Sequence, residues 1–225
     1  MTLVRLACPN CGTDLTGPPG AVLFPCAGCG QTCEAAAGRL RRVATRALAP
    51  RREARDRRLV HLPCWCFTLT CVADAPVAGL PPRVVVPSVG PMPGGIFLRL
   101  ARGLSMAAKG WAAPAVGASA AAPAGALPGR LGVADALALA QTVALACVPG
   151  TVRAGLLTAE PFPLRLADAE LVWLPCAFNG ARCEDLLVGL DVHARLLEGG
   201  QQAPTARPAR PPEGVPADDP VGAPR

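Results

Sequence analysis

Apolar side chains occupy both parities of the run from Leu59 to Leu69, through Val60, Leu62, Cys64, Trp65, Cys66 and Phe67. That β-branched and aromatic pattern predicts a strand over Leu59–Cys71 that is buried on both faces. Arg83–Pro87 predicts another short strand. Ile96, Phe97, Leu100, Leu104 and Ala107 recur at helical spacing and predict a helix over 94–109. A second helix is expected from Gly132 to about Cys147, with Asp135 near its start and Pro149-Gly150 ending it. Leu164–Leu166 and Glu170–Phe178 are further strand candidates. Nearer the start, Leu3–Ala7 leads into a turn-rich module, Ala21–Pro25 reads as a short strand, and Gly38–Arg46 as a strand leaving that module.

An internal echo accompanies this pattern. Leu59-Val60-His61-Leu62-Pro63-Cys64 recurs as Leu171-Val172-Trp173-Leu174-Pro175-Cys176, and Cys71 recurs as Cys183, all offset by 112. Self-similarity of this kind is the trace duplication leaves, and chance is its alternative for so short a match. The expected organisation is an N-terminal module at 1–38, an arginine-rich connector at 39–58 and a first α+β lobe at 59–110. An Ala/Pro/Gly linker follows at 111–130, then a second α+β lobe at 131–199 and a disordered tail at 200–225. The fold class is α+β, a small β module followed by a mixed body of one lobe or two related ones.

Composition tempers the expected core. Hydrophobic content of 51% is largely alanine, aromatics are 4% with no tyrosine, and 24 glycines with 26 prolines imply many turns and modest burial per residue. The net charge of +6 is concentrated: Arg39, Arg41, Arg42, Arg46, Arg51, Arg52, Arg55, Arg57 and Arg58 stand against Glu53 and Asp56, a local +7. The rest of the chain is close to neutral, so an electrostatic partner would meet this segment. Lys109 is the one lysine beside 21 arginines, which points to GC-rich coding, so arginine abundance alone says little. No aromatic residue interleaves with these arginines to stack bases, and a solvated basic connector is the plainer reading beside phosphate contact.

Chemistry is clearest in the cysteines. Cys8-Pro9-Asn10-Cys11-Gly12 and Cys26-Ala27-Gly28-Cys29-Gly30, with fourteen residues between Cys11 and Cys26, are two knuckles that can each present two thiolates to one ion. The glycine after each second cysteine supplies the positive φ such a turn needs. Together they predict a closed, structural Zn2+ site on Cys8, Cys11, Cys26 and Cys29, one ion per chain, stabilising a module too small to fold on its own core. A redox dithiol is the alternative for a single pair and suits two pairs poorly. Cys33 is a surplus thiol, a spare ligand or a residue packed beside the site. The metal spacing, and an N-terminus without a basic n-region and apolar h-region, point to a reducing cytoplasm. Leu131–Val148, the longest apolar stretch, contains Asp135 and Gln141 and reads as a buried helix, so no membrane insertion is expected.

Cys64, Cys71, Cys176 and Cys183 offer either a second metal site or core packing, and core packing is the better reading. Asn179-Gly180 signals a two-residue hairpin that would pair Phe178 with Ala181 and set Cys176 across from Cys183, Cβ atoms about 4.5–5.5 Å apart. Cys64 and Cys71 are seven apart on one strand and would face opposite ways. Catalysis finds little support. His61 and Cys64 would point to opposite faces, and His193 near Asp191 and Arg195 reads as a surface residue. Glu184-Asp185 and Asp168/Glu170 specify no acid–base dyad. A pocket lined by Asp168, Glu170, Cys176 or His193 would be needed for an enzymatic role.

The span from Leu6 to about Cys33 resembles the zinc-ribbon superfamily, through Cys-Pro-Asn-Cys-Gly, the Gly17-Pro18-Pro19-Gly20 turn and Phe24-Pro25-Cys26-Ala27-Gly28-Cys29-Gly30. That resemblance implies one zinc between two knuckles and a small β-sheet. The layout of the whole chain also resembles a group of uncharacterised bacterial proteins with an N-terminal ribbon and Leu-Val-x-Leu-Pro segments. Cys64 and Cys176 stand where that group is expected to carry aromatic residues. The expected role is a binding or scaffold protein that docks a protein partner and is not an enzyme; the alternative is a nucleic-acid accessory protein contacting phosphates through Arg39–Arg58.

Overall fold

The computed structural model describes residues 6–71, 77–89, 94–111, 121–159 and 163–193. The expected tail at 200–225 and residues 112–120 of the expected linker lie outside them. The fold is α+β. Strands β1 (Leu23–Pro25), β2 (Thr32–Ala36) and β3 (Arg39–Val43) form a small antiparallel sheet in that order. The body is a six-stranded sheet of β4 (Thr45–Ala47), β5 (Arg58–Cys71), β6 (Arg83–Pro87), β7 (Leu164–Phe178), β8 (Arg182–Asp185) and β9 (Asp191–His193). Its order is β6-β5-β7-β8-β9, with β4 parallel to β7. Helices are α1 (Gly94–Ala107), α2 (Val133–Cys147) and α3 (Gly150–Thr158).

The expected single strand over 38–46 is two. β3 pairs with β2 in the small sheet and β4 pairs with β7 in the large one, the chain changing sheets at Ala44. Residues 48–57, within the expected arginine-rich connector, contain no helix or strand.

β5 and β7 pair antiparallel along almost their whole length. Both copies of the repeated hexapeptide lie in this ladder, and Leu62 faces its own counterpart Leu174. The pair Val60–Cys176 becomes Val172–Cys64 under the offset, and that pair is also in register. The repeat therefore pairs with itself about a local two-fold axis through the two leucines. Opposite Phe67, β7 carries both Asp168 and Ala169, a β-bulge with Asp168 at φ 50°. Aspartate tolerates that left-handed conformation better than most residues. The bulge joins the two strand candidates at 164–166 and 170–178 into one strand; the exposed Ala167–Ala169 stretch between them broke the apolar pattern.

Period-two alternation divides β5 between two cores. Trp65, Phe67 and Leu69 enter one with Leu171 and Trp173. Val60, Leu62, Cys64 and Cys66 enter the other with Val172, Leu174 and Cys176. On the first face α2 contributes Ala136, Ala140 and Ala144, each fully buried. Small side chains at four-residue spacing bring that helix close over two large indoles, and Trp65 Nε1 donates to the Leu131 carbonyl at 2.9 Å. On the second face α1 contributes Leu100 and Leu104. Its Ser105 hydroxyl accepts the Val85 N–H of β6 at 2.9 Å and donates to the Ala101 carbonyl at 2.7 Å, satisfying a buried edge amide. Helix α3 has no counterpart in the sequence reading, which stopped at Pro149-Gly150. It is nine residues long with only Leu156 buried, too little for a periodic signal.

Residues 121–131, within and just past the expected linker, are hydrogen-bonded to both sheets. The Ala122 N–H donates to the Gly30 carbonyl at 2.7 Å, and Gly129 exchanges backbone bonds with Leu23 at 3.0 and 3.1 Å. His61 donates its N–H to the Gly125 carbonyl at 3.0 Å and accepts from Leu127 at 2.9 Å. A side chain completes the tie. Glu34 of β2, 1% exposed, accepts the Val133 N–H at the first turn of α2 at 2.7 Å and the Arg41 Nε–H at 2.7 Å. A carboxylate at a helix N-terminus meets both an orphan donor and the positive end of the dipole.

Glu34→Ala strands a partly buried amide and leaves Arg41, itself half exposed, without its acceptor. It is expected to lower stability by about 2 kcal/mol, with Glu34→Gln closer to wild type. Denaturant titration checks the magnitude, and amide exchange at Val133 and Ala134 should accelerate most.

Candidate metal centre

The small sheet positions four thiols by two matching loops. In the first, Cys8 N–H donates to the Thr13 carbonyl at 2.8 Å and Gly12 N–H to the Cys8 carbonyl at 2.9 Å. In the second, Cys26 N–H donates to Gln31 at 2.8 Å and Gly30 N–H to Cys26 at 2.9 Å. Gly12 and Gly30 take φ of 76° and 71°, the left-handed turn that admits glycine without a steric cost. The loops face each other. Cys8 Sγ lies 3.7 Å from Cys29 Sγ and Cys11 Sγ 3.5 Å from Cys26 Sγ, and all four sulfurs fall within 4.8 Å of one another. A tetrahedron with metal–sulfur bonds of about 2.3 Å has sulfur–sulfur edges of about 3.8 Å, so this set fits one ion. A disulfide needs about 2.05 Å, and all four cysteines are free. The cluster is compatible with a zinc ribbon.

Electrostatics of the loops favour thiolates on one side. Hydrogen bonds from the Thr13 hydroxyl, 3.2 Å away, and from its backbone hold Cys11 down to about 6. Burial pushes Cys8 up, but hydrogen bonds from the Asn10 and Cys11 backbone N–H groups, with those from the Cys29 and Cys26 thiols, together outweigh it and the net shift is downward. Cys26 is pushed up to about 11 by burial. Cys33, in β2, is fully buried among Cys8, Leu15, Phe24 and Cys26, and burial pushes it up to about 12. It packs as an apolar side chain behind the cluster.

The remaining candidates are not brought together in this way. Cys64, Cys176 and Cys183 share the second core, and Cys71 packs against the first, as its odd separation from Cys64 implied. Burial pushes the Cys64 thiol well up, and the neighbouring Cys183 thiol does the same to Cys176. Among the described residues only Cys8, Cys11, Cys26 and Cys29 come close enough to share an ion. The expected hairpin register needs correction: Phe178 pairs with Cys183, and Cys176 faces Asp185. The turn is centred on Gly180-Ala181, with Gly180 at φ 88° in its first central position. The Asn179 carboxamide fixes it by accepting the Ala181 and Arg182 N–H groups at 3.1 and 2.8 Å. This moves the pairing by two residues, leaving Cys176 and Cys183 diagonal neighbours.

Asp168 is exposed on the bulge, His193 is exposed on β9, Cys176 is buried, and Glu170 is engaged by Arg46. His61 is buried beside the Ala124 carbonyl, to which its Nδ1–H donates at 3.0 Å; burial lowers its pKa. Asp185 is buried and accepts the Leu187, Val188 and Leu190 N–H groups at 2.8–2.9 Å, shaping the loop before β9. The basic segment is largely engaged internally. Arg46 forks onto Glu170 with two bonds of 3.0 Å, Arg57 reaches Glu184 at 2.6 Å with Arg52 at 3.6 Å, and Arg41 holds Glu34. The Arg57 hydrogen bond lowers the Glu184 pKa. Arg58 lies over the Phe178 ring at 5.2 Å. Glu34 escaped the sequence reading altogether: one glutamate in a short strand gives no sign that a distant helix will start beside it.

No protein-family model, curated protein or solved structure matches the chain.

Metal affinity should fall steeply with acid. Cys26, at about 11, is protonated at neutral pH in the metal-free chain, so binding expels at least one proton and apparent affinity drops about tenfold per pH unit lowered. Competition with a chromophoric chelator measures this. Cys26→Ser should abolish stoichiometric binding, whereas Cys33→Ala should keep one ion per chain and cost only packing.

Proposed function

We propose that this chain is a non-catalytic binding or scaffold protein whose N-terminal module is built on one structural zinc ion. The observation that carries this reading is the closed donor set of Cys8, Cys11, Cys26 and Cys29, four sulfurs at tetrahedral separations. Four protein thiolates suit zinc, and they leave no coordination position for water or substrate. The ion would supply folding energy to a module whose own core is five buried residues. Through Glu34 and residues 121–131, that module and the body would act as one rigid docking unit. Its contacts would be made by exposed helix leucines, Leu137 (43% exposed) and Leu139 (37%) on the two flanks of α2 and Leu157 (60%) on α3.

Nucleic-acid contact through residues 39–58 has less support, because Arg41, Arg46, Arg52 and Arg57 already face carboxylates. Any retention on DNA or RNA would have a salt dependence of at most about five phosphates' worth, from Arg39, Arg42, Arg51, Arg55 and Arg58.

Elemental analysis of reduced protein should give one zinc per chain. Capture from the source cell should recover a specific protein at low micromolar strength or tighter with the wild type and lose it with Leu137→Asp/Leu139→Asp, zinc content unchanged. Equal retention by both, or background alone, overturns the docking role; a zinc-free chain overturns the metal.

A further inference from the structure

A groove of about 570 Å³ lies between α1, α3 and the end of α2, walled on one side by Leu190. Its α1 wall presents Arg99, Arg102 and Met106, which recur at three and four residues and share one face, with Leu98 beside them. Gly103 belongs to that face too. A Cβ there would stand 2.5 Å from Leu190 Cδ1, so this leucine packs directly over the glycine and would have to shift for any larger residue. Near the start of α1, Gly95 has no atom within 4 Å of its Cβ direction, and the groove stays open there.

The charge of this groove is one-sided. Arg153 of α3 joins Arg99 and Arg102, and among the described residues no carboxylate lines it. Neither α1 nor α3 contains an acidic residue. The contrast is the cleft at Arg52, Arg55 and Arg57, whose guanidiniums share their walls with Glu53, Asp56 and Glu184. Arg153 is anchored by an Nη2–H bond to the Val148 carbonyl at 3.3 Å. Arg99, Arg102 and Arg153, all exposed, line one groove with Leu98, Met106 and Leu190, and an anion bound there would meet positive charge alone. Contacts between exposed charges are weak, so a head group alone would bind poorly, and the apolar wall must contribute the rest. A groove of this size is in the range that holds small molecules.

We propose that this groove binds a single-chain amphiphile with an anionic head, its carboxylate or phosphate on Arg99, Arg102 and Arg153 and its alkyl chain along Leu98, Met106 and Leu190. Zinc content is independent of this site, so failure here and failure of the metal reading are separable.

The test is equilibrium dialysis of the full-length chain against dodecanoate below its micellar concentration. Saturable binding of one dodecanoate per chain is expected, with decanoate weaker by roughly ten- to twentyfold for two methylenes. Arg102→Gln/Arg153→Gln should weaken dodecanoate at least about tenfold, and acetate should show no measurable binding. Gly95→Leu, which fills open space and favours the helix, should block uptake while thermal unfolding shows the fold retained. Dodecanol binding as tightly as dodecanoate, or unchanged affinity in both variants, overturns the proposal. Attachment to anionic phospholipid vesicles without uptake of dodecanoate overturns it in favour of a membrane-facing surface.

Discussion

The pairing of β5 with β7 is the constraint on which the body depends. Over Val60–Phe67 of β5 and Leu171–Ala177 of β7 the strands are buried on both faces, so the apolar residues there divide between two cores, and a slip of one position would exchange them. Self-pairing of the repeat about Leu62 and Leu174 makes this register doubly specified: each Leu-Val-x-Leu-Pro-Cys copy finds the complement of its own pattern. Flanking strands follow the same logic, β6 beside β5 and β8 beside β7. The cores differ in character. One is filled by Trp65, Trp173 and Phe67 beneath an alanine-faced helix, the other by leucine, valine and four thiols acting as small apolar groups.

The small sheet is joined to that body by more than chain connectivity. Leu23 and Val43 are part of the first core, Gly129 extends β1, and Glu34 caps α2. An ion holding the two cysteine loops would therefore stabilise the start of a helix in the body, because β2 carries both Cys33, packed behind the loops, and Glu34. This is the physical content of treating the chain as one docking unit. The basic segment contributes to the same assembly: Arg46, Arg52 and Arg57 tie the crossing between sheets to β7 and β8, which is a structural use of charge.

Much of this was readable in advance where the signal is local. The cysteine loops, the strand at 59–71, the strand at 83–87 and helices α1 and α2 follow from spacing, turn glycines and periodicity. The split of one expected strand into β3 and β4 was not readable, since which sheet a residue joins depends on partners far along the chain. The bulge at Asp168 hid the continuity of β7, and the Asn179 carboxamide moved a hairpin by two residues. Glu34, Asp185 and the turn of residues 121–131 toward both sheets carry no local mark.

The sequence by itself determined the four-thiol set, the α+β class and a central strand apolar on both sides, because turn geometry and side-chain periodicity are properties of neighbouring residues. Tertiary structure alone decided that the two repeat copies pair with each other, that Glu34 meets α2, and that Arg99, Arg102 and Arg153 line one groove with Leu190 and, among the described residues, no carboxylate. Those outcomes are set by long-range pairing and by which charges find partners across the fold, and neither is written in any short stretch of chain.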